Sequence, residues 1–196
     1  GYIVSAFQLS YAIGMAIVGR ILDSIGTRLG YTLTILLWSL ASMAHAFVGT
    51  PMGFGLARVF LGLSESGNFP AAIKSTAEWF PKKERALATG IFNSGTNIGA
   101  IVAPLTVPAI AVVWGWQWAF IATGLLGFIW LIFWNKHYYK PSEHPKLSAA
   151  ELAYINSDSD AIAEGDALNT KSFSWAALLK YKQTWAFAIG KLLTDP

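Results

Sequence analysis

Two charged residues stand within an apolar stretch of the chain. Arg58 and Glu65 are seven residues apart in a segment that reads RVFLGLSESGNFPAAIKSTAEWFPKKER. On an α-helix this spacing places both side chains on one face, about 10 Å apart along the axis. A charge at the centre of a membrane helix costs about 2.5–3.5 kcal/mol on insertion scales, so such charges face a protein interior and mark ion or substrate paths. The pair therefore favours transport over catalysis.

The composition around this pair is that of a membrane protein. The 196-residue chain is 54% hydrophobic and 13% charged, whereas a soluble domain has about 25% charged residues. No charged residue occurs between Arg28 and Arg58, or between Arg85 and Lys136. Each run exceeds the ~20 residues that cross a bilayer as a helix. The predicted fold class is an all-α polytopic membrane protein, with the lipid bilayer as a partner.

The apolar runs predict five spans and the start of a sixth. They lie at about 1–19, 30–48, 54–76, 86–112 and 118–134, and the sixth begins near Thr184. We expect a transmembrane bundle at 1–135 whose first helix is missing, a loop with short helices at 136–183, and the start of a second bundle at 184–196. One short helix would be capped by Ser148, with Glu151 three residues later. A linker at 157–170 and a second short helix at 174–180 would follow.

The basic residues are confined to alternate turns. They are Arg20 and Arg28, then Lys82, Lys83 and Arg85, then Lys136, Lys140 and Lys146, and the turns at 49–53 and 113–117 contain none. The positive-inside rule places the basic turns in the cytoplasm. Topology thus explains the net charge of +3, and no nucleic-acid partner is expected. Gly1 then starts on the outside within an apolar run, so we interpret the chain as a fragment that a further span precedes.

The first turn carries a recognisable motif. The sequence GRILDSIGTR, from Gly19 to Arg28, resembles the loop signature of the major facilitator superfamily, approximately G-x-L-x-D-R-x-G-R. Gly19, Asp23, Gly26 and Arg28 match this conformational loop motif, whereas the family's basic residue after the aspartate is Ser24 here. We expect Asp23 at a helix N-terminus, where a carboxylate is favoured.

Two longer runs extend the resemblance. RVFLGLSESGNFPAAIKSTAEWFPKKERA and GIFNSGTNIGAIVAP are similar to the anion:cation symporter branch of that superfamily, and most similar to its bacterial hexuronate carriers. The resemblance implies transmembrane helices 2 to 6 and the start of 7, out of twelve. It also implies proton-coupled symport of a sugar-acid anion, such as glucuronate or galacturonate, across the bacterial inner membrane. The implied protein is a monomer, is not an enzyme, and has no cofactor beyond the proton that it couples.

Three alternatives to this function stay open. One is transport of another organic anion, of the galactonate, glucarate, tartrate or phthalate class. Another is a homologue that senses a nutrient without transporting it. The third is a membrane enzyme on a helical scaffold.

The resemblance also assigns roles to residues. It makes Glu65 the proton-coupling carboxylate and Arg58 its positive partner, and it gives a substrate-binding cavity lined by Tyr11, Asn93, Thr96 and Asn97. A basic residue on the preceding span would help to hold the substrate carboxylate. The alternatives are a purely structural ion pair for Arg58 and Glu65, interhelical hydrogen bonds for the three polar residues of the fifth span, and ordinary packing for Tyr11.

Enzyme signatures are weak in this chain. The run Gly62 to Ser66 (GLSES) departs from the nucleophile-elbow pattern at its last position. The sequence contains no Cys and no close pair of His, so no metal site is predicted. His45 is near a helix end and is expected at the membrane interface.

Small residues and a proline predict local packing. Gly62 and Ser66 are spaced to let a neighbouring helix approach closely, and Gly95 and Gly99 form a similar stripe on the fifth span. Pro70 is expected to interrupt the helical hydrogen bonds of the third span and to kink it.

Overall fold

The computed structural model describes residues 1–157, 180–186 and 189. The chain divides into two compact units, Gly1–Asp158 and Ser159–Pro196. The helices described in the first unit are α1 Tyr2–Ile25, α2 Thr27–Ala44, α3 Pro51–Glu65, α4 Asn68–Trp79, α5 Lys82–Trp114, α6 Trp116–His137 and α7 Ala149–Ile155, with 3₁₀ turns at His45–Phe47 and Pro141–Glu143. In the second unit 182–186 is helical. The predicted linker at 157–170 and the short helix at 174–180 lie outside the described residues except for Ser157 and Lys180, and so does most of the sixth span.

The described part is all-α, as predicted, and it contains four helices that are long and apolar enough to cross a membrane. These are α1, α2 continued to Phe47, α5 and α6. Ser148 caps α7 as expected, because its side chain accepts a hydrogen bond from the Glu151 backbone N–H at 3.2 Å. All of these elements agree with an all-α membrane protein.

The third predicted span is two helices rather than one. α3 ends at Glu65 and α4 begins at Asn68, with Ser66 and Gly67 between them. Pro70 lies in the first turn of α4 and has no N–H to donate to the Ser66 carbonyl four residues earlier. The interruption therefore comes before the proline, at Ser66, whose carbonyl loses this bond, whereas the Gly67 carbonyl still accepts from the Ala71 N–H at 3.1 Å.

The first motif is mostly helical, which corrects the expectation of a charged loop. α1 continues to Ile25, so Gly19 and Asp23 belong to it, and Arg28 belongs to α2. Only Gly26 forms the turn, with φ of 82°, a conformation that glycine adopts without strain. Asp23 is therefore in the last turn of a helix and not at the N-terminus that we expected.

Glycines bring α1 and α3 together. A Cβ placed on Gly62 would lie 2.6 Å from the Phe7 carbonyl oxygen and 3.0 Å from the Tyr11 nitrogen, and one on Gly14 would lie 3.2 Å from the Leu63 carbonyl oxygen. The predicted close approach at Gly62 is confirmed, and Ser66 is fully buried beside it.

The fifth span behaves differently. In the described part of the chain nothing lies within 4 Å of a Cβ placed on Gly95 or Gly99, and no residue of α5 is buried. The predicted packing stripe thus has no neighbour there.

One end of the bundle is held by a group that we call the Glu78 cluster: Thr27, Arg28, Glu78, Trp134 and Tyr138. Thr27 Oγ1 donates to Glu78 Oε1 at 2.5 Å, and the Tyr138 hydroxyl donates to Glu78 Oε2. Trp134 Nε1 donates to the Arg28 carbonyl at 3.2 Å, and its ring stacks on Tyr138 at 3.9 Å. The cluster joins α2, α4 and α6 at the end where the basic turns lie.

The opposite end is closed by aromatic rings. His45, at the end of α2, stacks on Phe120 of α6 with ring centroids 4.8 Å apart, and it contacts Phe54 of α3 at 5.9 Å. His45 is 0% exposed, so at this helix end it packs inside the protein. The residues that flank the two uncharged turns therefore meet at this end.

Candidate functional site

Four helices surround a polar cavity of about 460 Å³, which we call the central cavity. It is lined by Tyr11 of α1, Glu65 of α3, Asn68 and Phe69 of α4, and Asn93, Thr96 and Asn97 of α5. The structure thus brings together five of the six residues to which the sequence gave a proton or substrate role. Asn68 and Phe69 join them as lining residues that the sequence reasoning had not assigned.

The break between α3 and α4 positions one wall of the cavity. Glu65 is the last residue of α3, and Asn68 and Phe69 are the first two of α4, so all three reach the same space. The break is fixed by close packing, because a Cβ on Gly67 would lie 2.7 Å from Val18 Cγ1. The spacing of Asn68 and Phe69, three and four residues after Glu65, is the signal that could have identified them.

The opposite wall is a single face of α5. Asn93, Thr96 and Asn97 follow the i, i+3, i+4 spacing of one helical stripe. They lie near the middle of the 33-residue helix, and Tyr11 lies near the middle of the 24-residue α1. Substrate sites near the bilayer midplane are typical of transporters built from helical repeats.

Most polar groups of the central cavity are open to a ligand. Within the described part of the chain, the side chains of Asn68, Asn93, Thr96 and Asn97 make no hydrogen bond, although all of them line the cavity. Each amide can donate and accept, and the threonine hydroxyl can do both. Phe69, which contacts Phe92 at 6.0 Å, adds an apolar surface. This combination suits a small ligand that carries several hydroxyl groups.

Glu65 supplies the charge of the central cavity. Arg58 is not among the lining residues, and no direct ion pair joins the two side chains in the described residues, where the ion pair found is Lys74–Asp23. Arg58 nevertheless acts electrostatically on Glu65. The half-buried carboxylate of Glu65 therefore has no direct ion pair in the described residues, but it stays under the electrostatic influence of Arg58.

A metal centre is not indicated by these groups. In the described ranges, no three His, Asp or Glu side chains come close enough to hold an ion.

Comparison with known proteins places the chain in a family. Residues 1–194 match the model of the Major Facilitator Superfamily. The chain belongs to this superfamily. It is 36% identical over 195 residues to a galacturonate transporter of Dickeya chrysanthemi, covering all of this chain and 56% of that protein. It is 35% identical over 195 residues to the hexuronate transporter of Escherichia coli K12, covering all of this chain and 45% of that protein.

A further relative is named for a different substrate. A probable galactarate/D-glucarate transporter of Escherichia coli K12 is 37% identical over 175 residues, covering 85% of this chain and 38% of that protein. The chain thus spans about half the length of the curated relatives that it matches most fully.

The superfamily loop motif has partners that the sequence did not reveal. Asp23 accepts a hydrogen bond from Lys74 Nζ at 2.7 Å, and the same ammonium donates to the Leu22 carbonyl at 3.0 Å. Lys74 thereby supplies positive charge at the C-terminal end of α1, where it is favoured. Arg28 donates from Nη2 to the Asn135 carbonyl at 2.6 Å. A lysine within the polar face of α4 was the available signal for this contact.

Proposed function

We propose that this chain carries the proton site and part of the substrate site of a secondary transporter. The transporter would take up a hexuronate such as glucuronate or galacturonate, together with protons, across the inner membrane of a bacterium. The observation that carries the proposal is the central cavity, in which one carboxylate, Glu65, shares about 460 Å³ with unbonded amide groups. The relatives named as galacturonate and hexuronate transporters support the substrate class.

The cavity chemistry supports coupling between proton and anion. A substrate carboxylate that enters beside an ionised Glu65 meets a like charge, and two close carboxylates do not both stay ionised. Protonation of Glu65 removes this repulsion, so proton and anion would bind together. The three asparagine side chains of the cavity would hold the sugar hydroxyls. The substrate carboxylate needs a cation, which a basic residue on another span would supply, while Arg58 on the same helix as Glu65 would remain the partner of that glutamate.

Uptake by the complete gene product in proteoliposomes tests this proposal. With labelled galacturonate outside, an acidic external step should drive accumulation, and a protonophore should abolish it. Binding without accumulation would instead favour a nutrient sensor. Accumulation that continues unchanged in the presence of the protonophore would show that uptake is not coupled to protons.

A second substrate class has its own support, because relatives are named as galactarate/glucarate and galactonate transporters. Competition separates the classes in the same assay. Unlabelled glucuronate should inhibit galacturonate uptake more strongly than galactarate or galactonate does. The reverse order would assign the site to the aldarate or aldonate class.

We also infer that the end holding the Glu78 cluster faces the cytoplasm, since the basic turns gather there. The sequence contains no Cys, so single cysteines report on one position each. Lys83→Cys should react with an impermeant maleimide only from inside the cell, and Thr50→Cys only from outside. The opposite pattern would invert the topology.

A further inference from the structure

The buried histidine at the aromatic end has an unused acceptor. His45 Nδ1 lies 2.8 Å from the Ala41 carbonyl oxygen, and this contact requires Nδ1 to carry a hydrogen and donate it. In the neutral ring Nε2 is then an acceptor. Nε2 is buried and has no partner in the described residues. Buried polar groups in native proteins are nearly always paired, so this exception calls for an explanation.

A cation without a fixed partner lies close by. Arg58 follows Phe54 by four residues on α3 and so shares its helix face, and the Phe54 ring contacts the His45 ring at 5.9 Å. Arg58 is half-buried. Its guanidinium has five N–H donors, yet in the described part of the chain it makes no hydrogen bond or ion pair. Arg58 acts electrostatically on both His45 and Glu65.

We propose that Arg58 has two alternative acceptors, the carboxylate of Glu65 and Nε2 of His45, and that it turns to His45 when Glu65 is protonated. This inference rests on the proposed function, in which Glu65 carries the coupled proton. A carboxylate is the stronger acceptor for a guanidinium, because hydrogen bonds between two charged groups are about twice as strong as neutral ones. Neutralising Glu65 removes that advantage. His45 thereby acts as a positioning residue for Arg58.

In the described residues, we find no charged group besides Arg58 that would compete for Nε2 of His45. The elements packed against His45 are α2, α3 and α6. Phe120 of α6 contacts its ring and Trp116 contacts Phe120, and both of these residues are uncharged. The charged groups of α3 are Arg58 and Glu65. The ring stacking and the bond to Ala41 use the ring face and Nδ1, so a purely structural histidine would not need Nε2.

Two substitutions of His45 by an amide residue distinguish the role of Nδ1 from the role of Nε2. The Asn side chain reaches the position of Nδ1 and keeps a donor for Ala41, whereas the longer Gln side chain reaches the position of Nε2 and keeps an acceptor for Arg58. In proteoliposomes of the complete gene product, His45→Asn should lower proton-driven uptake about tenfold or more, as loss of a bond to a charged group does. His45→Gln should restore a large part of that loss. Equal uptake by the two variants, or better uptake by His45→Asn, overturns the proposal.

A spectroscopic readout covers the case in which neither variant folds. The ¹⁵N resonance of His45 Nε2, assigned through its contacts with the Phe54 and Phe120 ring protons, should move upfield in Glu65→Gln, because the nitrogen then accepts a hydrogen bond. An unchanged resonance rejects the exchange of partners. The proposed function fails separately, if the wild-type protein does not accumulate hexuronate under a proton gradient.

Discussion

Two glutamates of the same helical bundle, Glu78 and Glu65, differ in how fully their carboxylates are hydrogen-bonded. Glu78 accepts hydrogen bonds on both carboxylate oxygens, from Thr27 and from Tyr138. Glu65, thirteen residues earlier, accepts none in the described residues and faces the central cavity. A buried polar group with satisfied bonds holds a structure together, whereas one left open in a cavity is available for chemistry. This difference indicates a structural role for Glu78 and leaves Glu65 available to bind a ligand or a proton.

The charges of the bundle follow the same division. Asp23 and Lys74 form a direct ion pair at 2.7 Å, and they are near the end that holds the Glu78 cluster. Arg58 and Glu65 form no direct ion pair in the described residues, although Arg58 acts electrostatically on Glu65. The structural-pair alternative for Arg58 and Glu65 therefore has no contact to support it in this conformation.

Removing Glu78 should give the largest loss of stability. Glu78→Ala leaves the Thr27 hydroxyl, which is 0% exposed, and the Tyr138 hydroxyl without their acceptor. Since an unsatisfied buried group costs about 1–3 kcal/mol, the two together should lower the free energy of unfolding by about 2–5 kcal/mol. Thermal unfolding in detergent measures the effect.

Glu84→Ala is the matched control for that variant. Glu84 accepts a hydrogen bond from the exposed Tyr154 hydroxyl, and surface changes usually stay within about 0.5 kcal/mol. Equal destabilisation by Glu78→Ala and Glu84→Ala would contradict the architectural role of the Glu78 cluster.

An intermediate effect is expected where α1 crosses α3. Gly62→Ala adds a methyl group only 2.6 Å from the Phe7 carbonyl oxygen, and such overpacking costs about 1–3 kcal/mol. Gly95→Ala places the same group on α5, where nothing lies within 4 Å in the described residues. Its expected effect is neutral or slightly stabilising, because alanine favours helix more than glycine does. A loss of melting temperature at Gly95 that matches the loss at Gly62 would show that both helices are packed alike.

The smallest effect concerns alkaline pH. Burial, and then the hydrogen bond and negative charge of Glu78, raise the pKa of Tyr138 above its usual range. A phenol whose pKa is higher in the folded protein stabilises it below the unfolded pKa of about 10, and that stabilisation fades as the pH rises through the folded value. The melting temperature should therefore fall above about pH 10, and fall less in Tyr138→Phe. If the melting temperature depends on pH identically in the wild type and in Tyr138→Phe, Tyr138 is not the group responsible.

Periodicity explains how much of the central cavity the sequence could predict. Asn93, Thr96 and Asn97 share a helix face because of their spacing, and Glu65 is conspicuous as a charge in an apolar span. Apolar runs likewise predicted four of the spans. These features depend on the spacing of residues along one helix, and that spacing can be read from the sequence.

The remaining features depend on contacts between distant residues. Lys74 reaches Asp23 across 51 positions, and Tyr138 reaches Glu78 across 60. The loop motif was misjudged because one glycine, Gly26, suffices for the turn and leaves Asp23 inside α1. His45 is buried because Phe54 and Phe120 enclose it, and these rings come from two other helices. None of these pairings has a local signature.

Glu65→Gln tests the contrast between the two glutamates most directly. The amide has nearly the same volume as the acid and still donates and accepts hydrogen bonds, so the central cavity should remain intact. In proteoliposomes of the complete gene product, exchange of labelled hexuronate at equal concentrations on both sides should continue. Accumulation driven by an imposed pH step should vanish, because the variant has no proton to exchange at this site. If Glu65→Gln still concentrates the substrate in response to the pH step, the coupled proton is carried elsewhere and the central claim is contradicted.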